Sequence, residues 1–177
     1  MAPMFVPGPV DVAPEVLAAQ AKPMMPHRSK DFEAIFRRTE EKLEKVFYTQ
    51  YRVFQATSSG SGMQEAGIRN FVQETVLSCT NGSFADRWYN VAISNGKQAD
   101  KLDVPWGQVI TPDMLADALK KKHYEAVTIV HNETSTGAVN PVKELAAVVQ
   151  DISPDTLVLV DAVSSLSGDK IEMDEWG

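Results

Sequence analysis

A chain of 177 residues, 44% hydrophobic and 23% charged, is long enough to bury a core and is expected to form one soluble domain. Its 24 acidic and 17 basic residues give a formal net charge of -7 and are spread along the chain, so no basic face is built to track a phosphate backbone and nucleic acid is not an expected partner. The single cysteine, Cys79, excludes an internal disulfide framework, and neither a Cys-x-x-Cys pair nor a His-x-x-x-His spacing offers a metal site. No apolar run approaches the length that spans a bilayer, and Met1 to Val12 lacks a basic stretch leading into an apolar one. A cytoplasmic protein without a membrane partner is the expectation.

Pro3, Pro7 and Pro9 prevent regular helix at the N-terminus, so this arm is expected to lie extended over something else. Ser29 can cap a helix in which Phe32, Ile35, Phe36, Leu43, Val46 and Phe47 recur at helical spacing while Arg37, Glu41 and Lys45 face water, the pattern of an amphipathic helix packing on one side. Tyr51 to Ala56 is short and β-prone, a Ser/Gly cluster follows it, and Met63 to about Glu74 is compatible with helix. The pattern then predicts a strand at Thr75 to Cys79, a helix from Phe84 to Ile93 and a weaker strand around Ala99 to Val104.

Thr111 and Pro112 form an N-cap and first-turn pair for a helix bearing Leu115, Ala118 and Leu119, ahead of the strand-like run Ala126 to Val130. Asn140 and Pro141 are expected to repeat that arrangement for a helix with Leu145, Val148, Val149 and Ile152, before a fully apolar strand at Leu157 to Val160. Strands alternating with helices imply an α/β fold with a mostly parallel sheet. Right-handed crossovers put the loops that leave such strands on one edge, where ligands bind. Ser58 to Gly62, His131 to Gly137 and Asp161 all follow predicted strands.

Ser58-Ser59-Gly60-Ser61-Gly62 runs into a helix, so its amides and hydroxyls can converge on an anion such as phosphate; a flexible turn is the plainer reading. It is not a known nucleotide motif. Glu65 occupies the third glycine position of a dinucleotide fingerprint, and Gly62 to Gly67 continues into Ile68-Arg69 where a Walker loop needs Lys and Ser/Thr. Asp161, after a buried strand, is either a turn residue or a carboxylate able to hold a proton on a pyridine nitrogen. His131-Asn132-Glu133-Thr134-Ser135-Thr136-Gly137 is a polar loop suited to a hydroxylated ligand, and His131 with Glu133 lacks the further ligands a metal needs. Phe84 and Val163 read as core residues when taken singly.

Taken in order, these segments resemble the class V aminotransferases of pyridoxal-phosphate fold type I, particularly the alanine–glyoxylate, serine–pyruvate and serine–glyoxylate group. The resemblance runs from Phe5-Val6-Pro7-Gly8-Pro9 through Pro26-His27-Arg28-Ser29 and Ser58 to Ala66, to His131 to Gly137 and Val160-Asp161-Ala162-Val163-Ser164-Ser165. It implies an N-terminal arm and lead-in segment over residues 1–20 and part of the large cofactor-binding domain over 21–177, without the small C-terminal domain. It also implies pyridoxal 5'-phosphate as cofactor, with Ser59, Gly60 and Ser61 at the phosphate and Phe84 stacked on the ring. Phenylalanine keeps the stacking face that a family tryptophan offers but loses the indole donor. Thr134 matches the hydroxyl that contacts the cofactor near its phenolic oxygen or carboxylate partner, Asp161 the pyridinium partner and Val163 the contact on the other ring face.

The family's Schiff-base lysine lies roughly two dozen residues beyond the aspartate, in a Ser-x-Lys context. The chain continues only sixteen residues beyond Asp161, so that lysine is expected beyond Gly177 and no catalytic residue is assigned within the chain. Lys170, in Gly168-Asp169-Lys170-Ile171, matches the family's next loop instead. The resemblance implies transfer of an amino group from alanine or serine to glyoxylate or pyruvate in a homodimer. Cysteine desulfurases, epimerases and aminoethylphosphonate transaminases share much of this pattern, and a non-catalytic cofactor-binding or dimerisation module is the alternative of a different class.

Overall fold

The computed structural model describes residues 4–177; Met1 to Pro3, and with them Pro3 of the arm, lie outside the described residues. The chain divides into two compact units, Met1–Phe54 and Gln55–Gly177.

In the first unit, residues 4–13 form neither helix nor strand, as their prolines dictate, but they are exposed rather than covered. Helix α1 (Pro14–Gln20) was not expected; Pro14 presets the φ of its first turn and Glu15 complements the helix dipole there. Helix α2 (Lys30–Phe47) starts at the expected cap, the Ser29 Oγ accepting a bond from the Phe32 N–H at 3.2 Å. None of its residues is buried, which corrects the expected one-sided packing. Ile35, Phe36 and Val46 are exposed because, among the described residues of this unit, no sheet or second long helix receives the apolar stripe. Tyr51 to Ala56 forms no strand. β-Propensity reflects packing on neighbours, and this exposed segment has no partner strand among the described residues.

The second unit begins with helix α3 (Gly60–Phe71) and is built on four parallel strands, β1 (Thr75–Thr80), β2 (Gln98–Asp103), β3 (Ala126–Val130) and β6 (Leu157–Asp161), in the order β2-β1-β3-β6. Parallel neighbours require crossovers, here α4 (Ser83–Ser94), α5 (Pro112–Leu119) and α6 (Val142–Ile152). This is the expected α/β class. Alternation along β1 sends Leu77 and Cys79 into a core with Ile110, Leu115, Ile129, Leu145 and Val149, and Val76 into a second core with Ile68, Ala85, Trp88 and Val130. Burial pushes the Cys79 thiol up to about 12, so it acts as a small apolar filler.

Thr111 caps α5 as expected, its Oγ1 accepting from the Met114 N–H at 3.3 Å. Asn140 does not cap α6. It is instead a buried strut whose amide donates to the Val130 carbonyl at 2.8 Å and whose Oδ1 accepts from the Ile110 N–H at 2.9 Å, bonds unavailable to an exposed cap. Strand β6 is only partly covered because it is the last strand of the sheet, so Asp161 ends a half-exposed strand rather than the buried one expected. The polar segment after β3 folds into a two-stranded antiparallel hairpin, β4 (Asn132–Glu133) and β5 (Ala138–Val139), and a short helix α7 (Met173–Trp176) ends the chain. Among the described residues no helix is long and apolar enough to cross a membrane.

Candidate functional site

The C-terminal ends of β1, β3 and β6 all open on one edge of the second unit, as parallel pairing requires, and the N-terminus of α3 reaches the same edge. At the end of β1, Gly82 precedes α4 and supplies no side-chain cap. The carboxylate of Glu133, fully buried on β4, takes that role: Oε2 accepts from the N–H of Phe84 at 3.1 Å and of Ala85 at 2.9 Å, while Oε1 accepts from the N–H and hydroxyl of Ser135 at 3.1 and 2.7 Å. A Cβ on Gly82 would stand 2.4 Å from the Glu133 Cγ, so glycine is what lets the acid approach. The first turn of α4, and with it Phe84, is thereby fixed from the hairpin that follows β3. The Arg87 guanidinium lies 4.6 Å from the centre of the Phe84 ring and donates to the Ser61 Oγ at 3.1 Å, joining α4 to α3.

Helix α3 begins at Gly60, earlier than the expected Met63, with Ser59 as its N-cap. The Ser59 Oγ accepts from the Gly62 N–H at 3.1 Å, which leaves its own proton available, and helix geometry leaves the first N–H groups, those of Gly60 and Ser61, without partners in the helix. The preceding segment forms no strand, so the loop is not carried to the sheet edge by one.

Asp161 ends β6, its carbonyl accepting from the His131 N–H at 2.8 Å. Its Oδ1 accepts from the Val163 N–H at 3.0 Å and its Oδ2 from the Gln64 Nε2 at 2.8 Å. A Cβ placed on Gly60 would lie 3.7 Å from the Val163 Cγ2, so the Ser/Gly loop and the turn after Asp161 are in contact distance. Thr134 Oγ1 pairs with Ser164 Oγ, and Ser165 Oγ lies 2.9 Å from the His131 Nδ1. Burial pushes the His131 imidazole below its ordinary value, against the opposing pull of Asp169.

The structure therefore groups Ser61 with Phe84 through Arg87, Gly60 with Val163 and Asp161, and Thr134 with the loop that follows Val163. His131 and Glu133 are occupied by these bonds, and among the described residues no group of three or more His, Cys, Asp or Glu could hold a metal. Lys170 stands with its Nζ 2.5 Å from the Glu172 Oε1 and holds that carboxyl below its ordinary range. Sequence reasoning did not single out Arg87 or Gln64, and it did not see Glu133 as a cap. Gln64 had a readable signal: it lies four residues before Ile68, on the buried face of α3.

The model of the family Aminotransferase class-V matches residues 14–177. The chain belongs to the class V aminotransferase family. An uncharacterized aminotransferase of Methanocaldococcus jannaschii is 42% identical over 98% of the chain and 45% of its own length, and an L-aspartate–glyoxylate aminotransferase of Paracoccus denitrificans is 32% identical over 99% and 46%. Among solved structures, an alanine–glyoxylate aminotransferase from Nostoc sp. superposes with a TM-score of 0.92 at 31% identity, covering 97% of this chain and 46% of that one. The chain spans about half the length of the curated relatives it matches. As a member of that family it has the fold type I architecture in its second unit, a parallel sheet flanked by helices.

Proposed function

We propose that this protein binds pyridoxal 5'-phosphate at the strand-end edge of the second unit and transfers an amino group from alanine or serine to glyoxylate or pyruvate. The observation that supports the cofactor most is the convergence on Asp161: its carboxylate is bonded to Gln64 of α3, whose first turn carries Ser59, Gly60 and Ser61, and the next turn brings Val163 against Gly60. The donor set fits the cofactor in chemistry, with hydroxyls, open helix N–H groups and the Arg87 guanidinium for a phosphate, an anionic carboxylate for a ring nitrogen, and an aromatic and an aliphatic face for the ring.

When bound, the cofactor supplies an aldehyde that takes up the amino group and a protonated ring that draws electrons from the substrate carbon. In this reading Ser59, Gly60, Ser61 and Arg87 hold the phosphate, Phe84 and Val163 keep the ring flat, and Thr134 donates near its phenolic oxygen. Asp161 holds a proton on the ring nitrogen. No lysine of this chain is assigned to carry the cofactor, the Lys170 ammonium being engaged by Glu172. Glyoxylate is favoured as acceptor because it is common to the names of the aspartate–glyoxylate and alanine–glyoxylate relatives. A homodimer belongs to the same proposal, supported by the exposed Phe5 and Phe36 of the first unit, and a cytoplasmic site by the free thiol of Cys79.

The test is an amino-transfer assay on protein made from its complete reading frame, with alanine or serine as donor and glyoxylate or pyruvate as acceptor. Glycine formed from glyoxylate only when the cofactor is present, and lost by more than about a hundredfold in D161A, is the expected result. Cofactor-dependent release of sulfide from cysteine with no amino transfer would overturn it.

A further inference from the structure

We propose that Gln64 is the positioning residue for Asp161, holding the carboxylate in line for the ring nitrogen while leaving its negative charge uncompensated. The inference rests on the cofactor reading above.

Gln64 is 3% exposed and is buried on α3 together with Ile68, four residues on. An apolar side chain of similar length would fill that place without the penalty of burying an amide, and the Oε1 of Gln64 has no hydrogen-bond partner among the described residues. The amide is explained by what its other end does. Nε2 donates to the Asp161 Oδ2 at 2.8 Å and lies 3.4 Å from the carbonyl oxygen of Phe84. Both neighbours are acceptors, so only this orientation of the amide makes bonds; reversing it would set Oε1 against two oxygens.

The second carboxylate oxygen, Oδ1, is held by the Val163 N–H at 3.0 Å. With one donor on each oxygen, the plane of the carboxylate is set by two bonds from separate elements, and each oxygen keeps a lone-pair site for a further donor. The same Gln64 side chain links α3, the first turn of α4 and the end of β6, the three elements that carry Ser59 to Ser61, Phe84 and Asp161.

The choice of a neutral donor matters chemically. A lysine or arginine in its place would bind the carboxylate more strongly, but its charge would lower the carboxylate's proton affinity and so weaken its hold on a protonated ring. An amide fixes direction and leaves the charge to the ligand.

The test uses protein from the complete reading frame, freed of cofactor and titrated with pyridoxal 5'-phosphate and with an analogue carrying C–H in place of the ring nitrogen. Affinities are read from quenching of tryptophan fluorescence. Q64L is expected to weaken cofactor binding about tenfold and leave the analogue within about twofold, because the lost bond acts only through the ring nitrogen. Q64M, which keeps the unbranched stem, should behave alike and serves if Q64L does not fold. In a D161A background either change should add nothing to cofactor affinity.

Equal weakening for both ligands would make Gln64 a packing residue and overturn the inference. So would an unchanged cofactor affinity in Q64L and Q64M while D161A loses it, a result that keeps the cofactor reading. Wild-type protein that fails to distinguish the cofactor from its analogue would overturn both.

Discussion

Phe84 and Val163, the two residues proposed for the faces of the cofactor ring, are held in opposite ways. Phe84 stands in the first turn of α4, which is bonded to a fully buried carboxylate, Glu133, on a different chain segment, and Ala85 beside it is part of the core. Val163 is 77% exposed in a turn after the last strand of the sheet, held by one backbone bond to the Asp161 side chain. One wall is therefore set by the folded core before any ligand arrives. The other depends on local bonds at Asp161, Ser164 and Ser165 and is expected to tighten with a ligand.

Removing Glu133 should break the first wall. E133A leaves the N–H groups of Phe84, Ala85 and Ser135 without their acceptor, and a loss of roughly 3 kcal/mol or more of unfolding free energy is expected in denaturant titration. Crowding the same contact is milder: G82A, which sets a Cβ against the Glu133 side chain, should cost about 2 kcal/mol by the same measurement. S59A removes the cap of α3 and should cost about 1 kcal/mol in the same titration, with a further loss of phosphate affinity.

The second wall should be the more sensitive to acid. His131 bonds Ser165 in the Val163 loop, and its native pKa is depressed. Below the unfolded-state value of about 6.5, the unfolded chain takes up a proton that the native imidazole resists. Stability from this group is thus full above that pH and is lost as the pH falls through the native pKa. In melts between pH 7 and 5, H131N should lose stability less steeply than the wild type. Smallest of all, V163A should change unfolding free energy by no more than about 0.5 kcal/mol, while weakening retention of a bound ring.

The same contrast explains what could be read from sequence. Strand β3 was expected at its observed bounds because four apolar residues and Thr128 stand between Glu125 and His131, and α2 and α5 begin where Ser29 and Thr111 announce a cap. Such signals are local. Tyr51 to Ala56 carries equally β-prone residues yet forms no strand, since pairing depends on a neighbour that its own sequence does not encode. Asn140 looked like a cap for the same reason: the donors to its Oδ1, on Ile110 and Asn81, lie 30 and 59 residues away. At the candidate site the loops were legible and their ties were not. Glu133 reaches Phe84 across 49 residues and Gln64 reaches Asp161 across 97, and neither bond leaves a trace in spacing.

The account turns on Asp161 as the anionic partner of a pyridine ring. The most direct measurement is the affinity of pyridoxal 5'-phosphate for protein from the complete reading frame, compared between wild type and D161A at neutral pH by fluorescence titration. Loss of the ring nitrogen's charge partner predicts binding weakened by roughly a hundredfold in D161A. Equal affinity in the two proteins would contradict it.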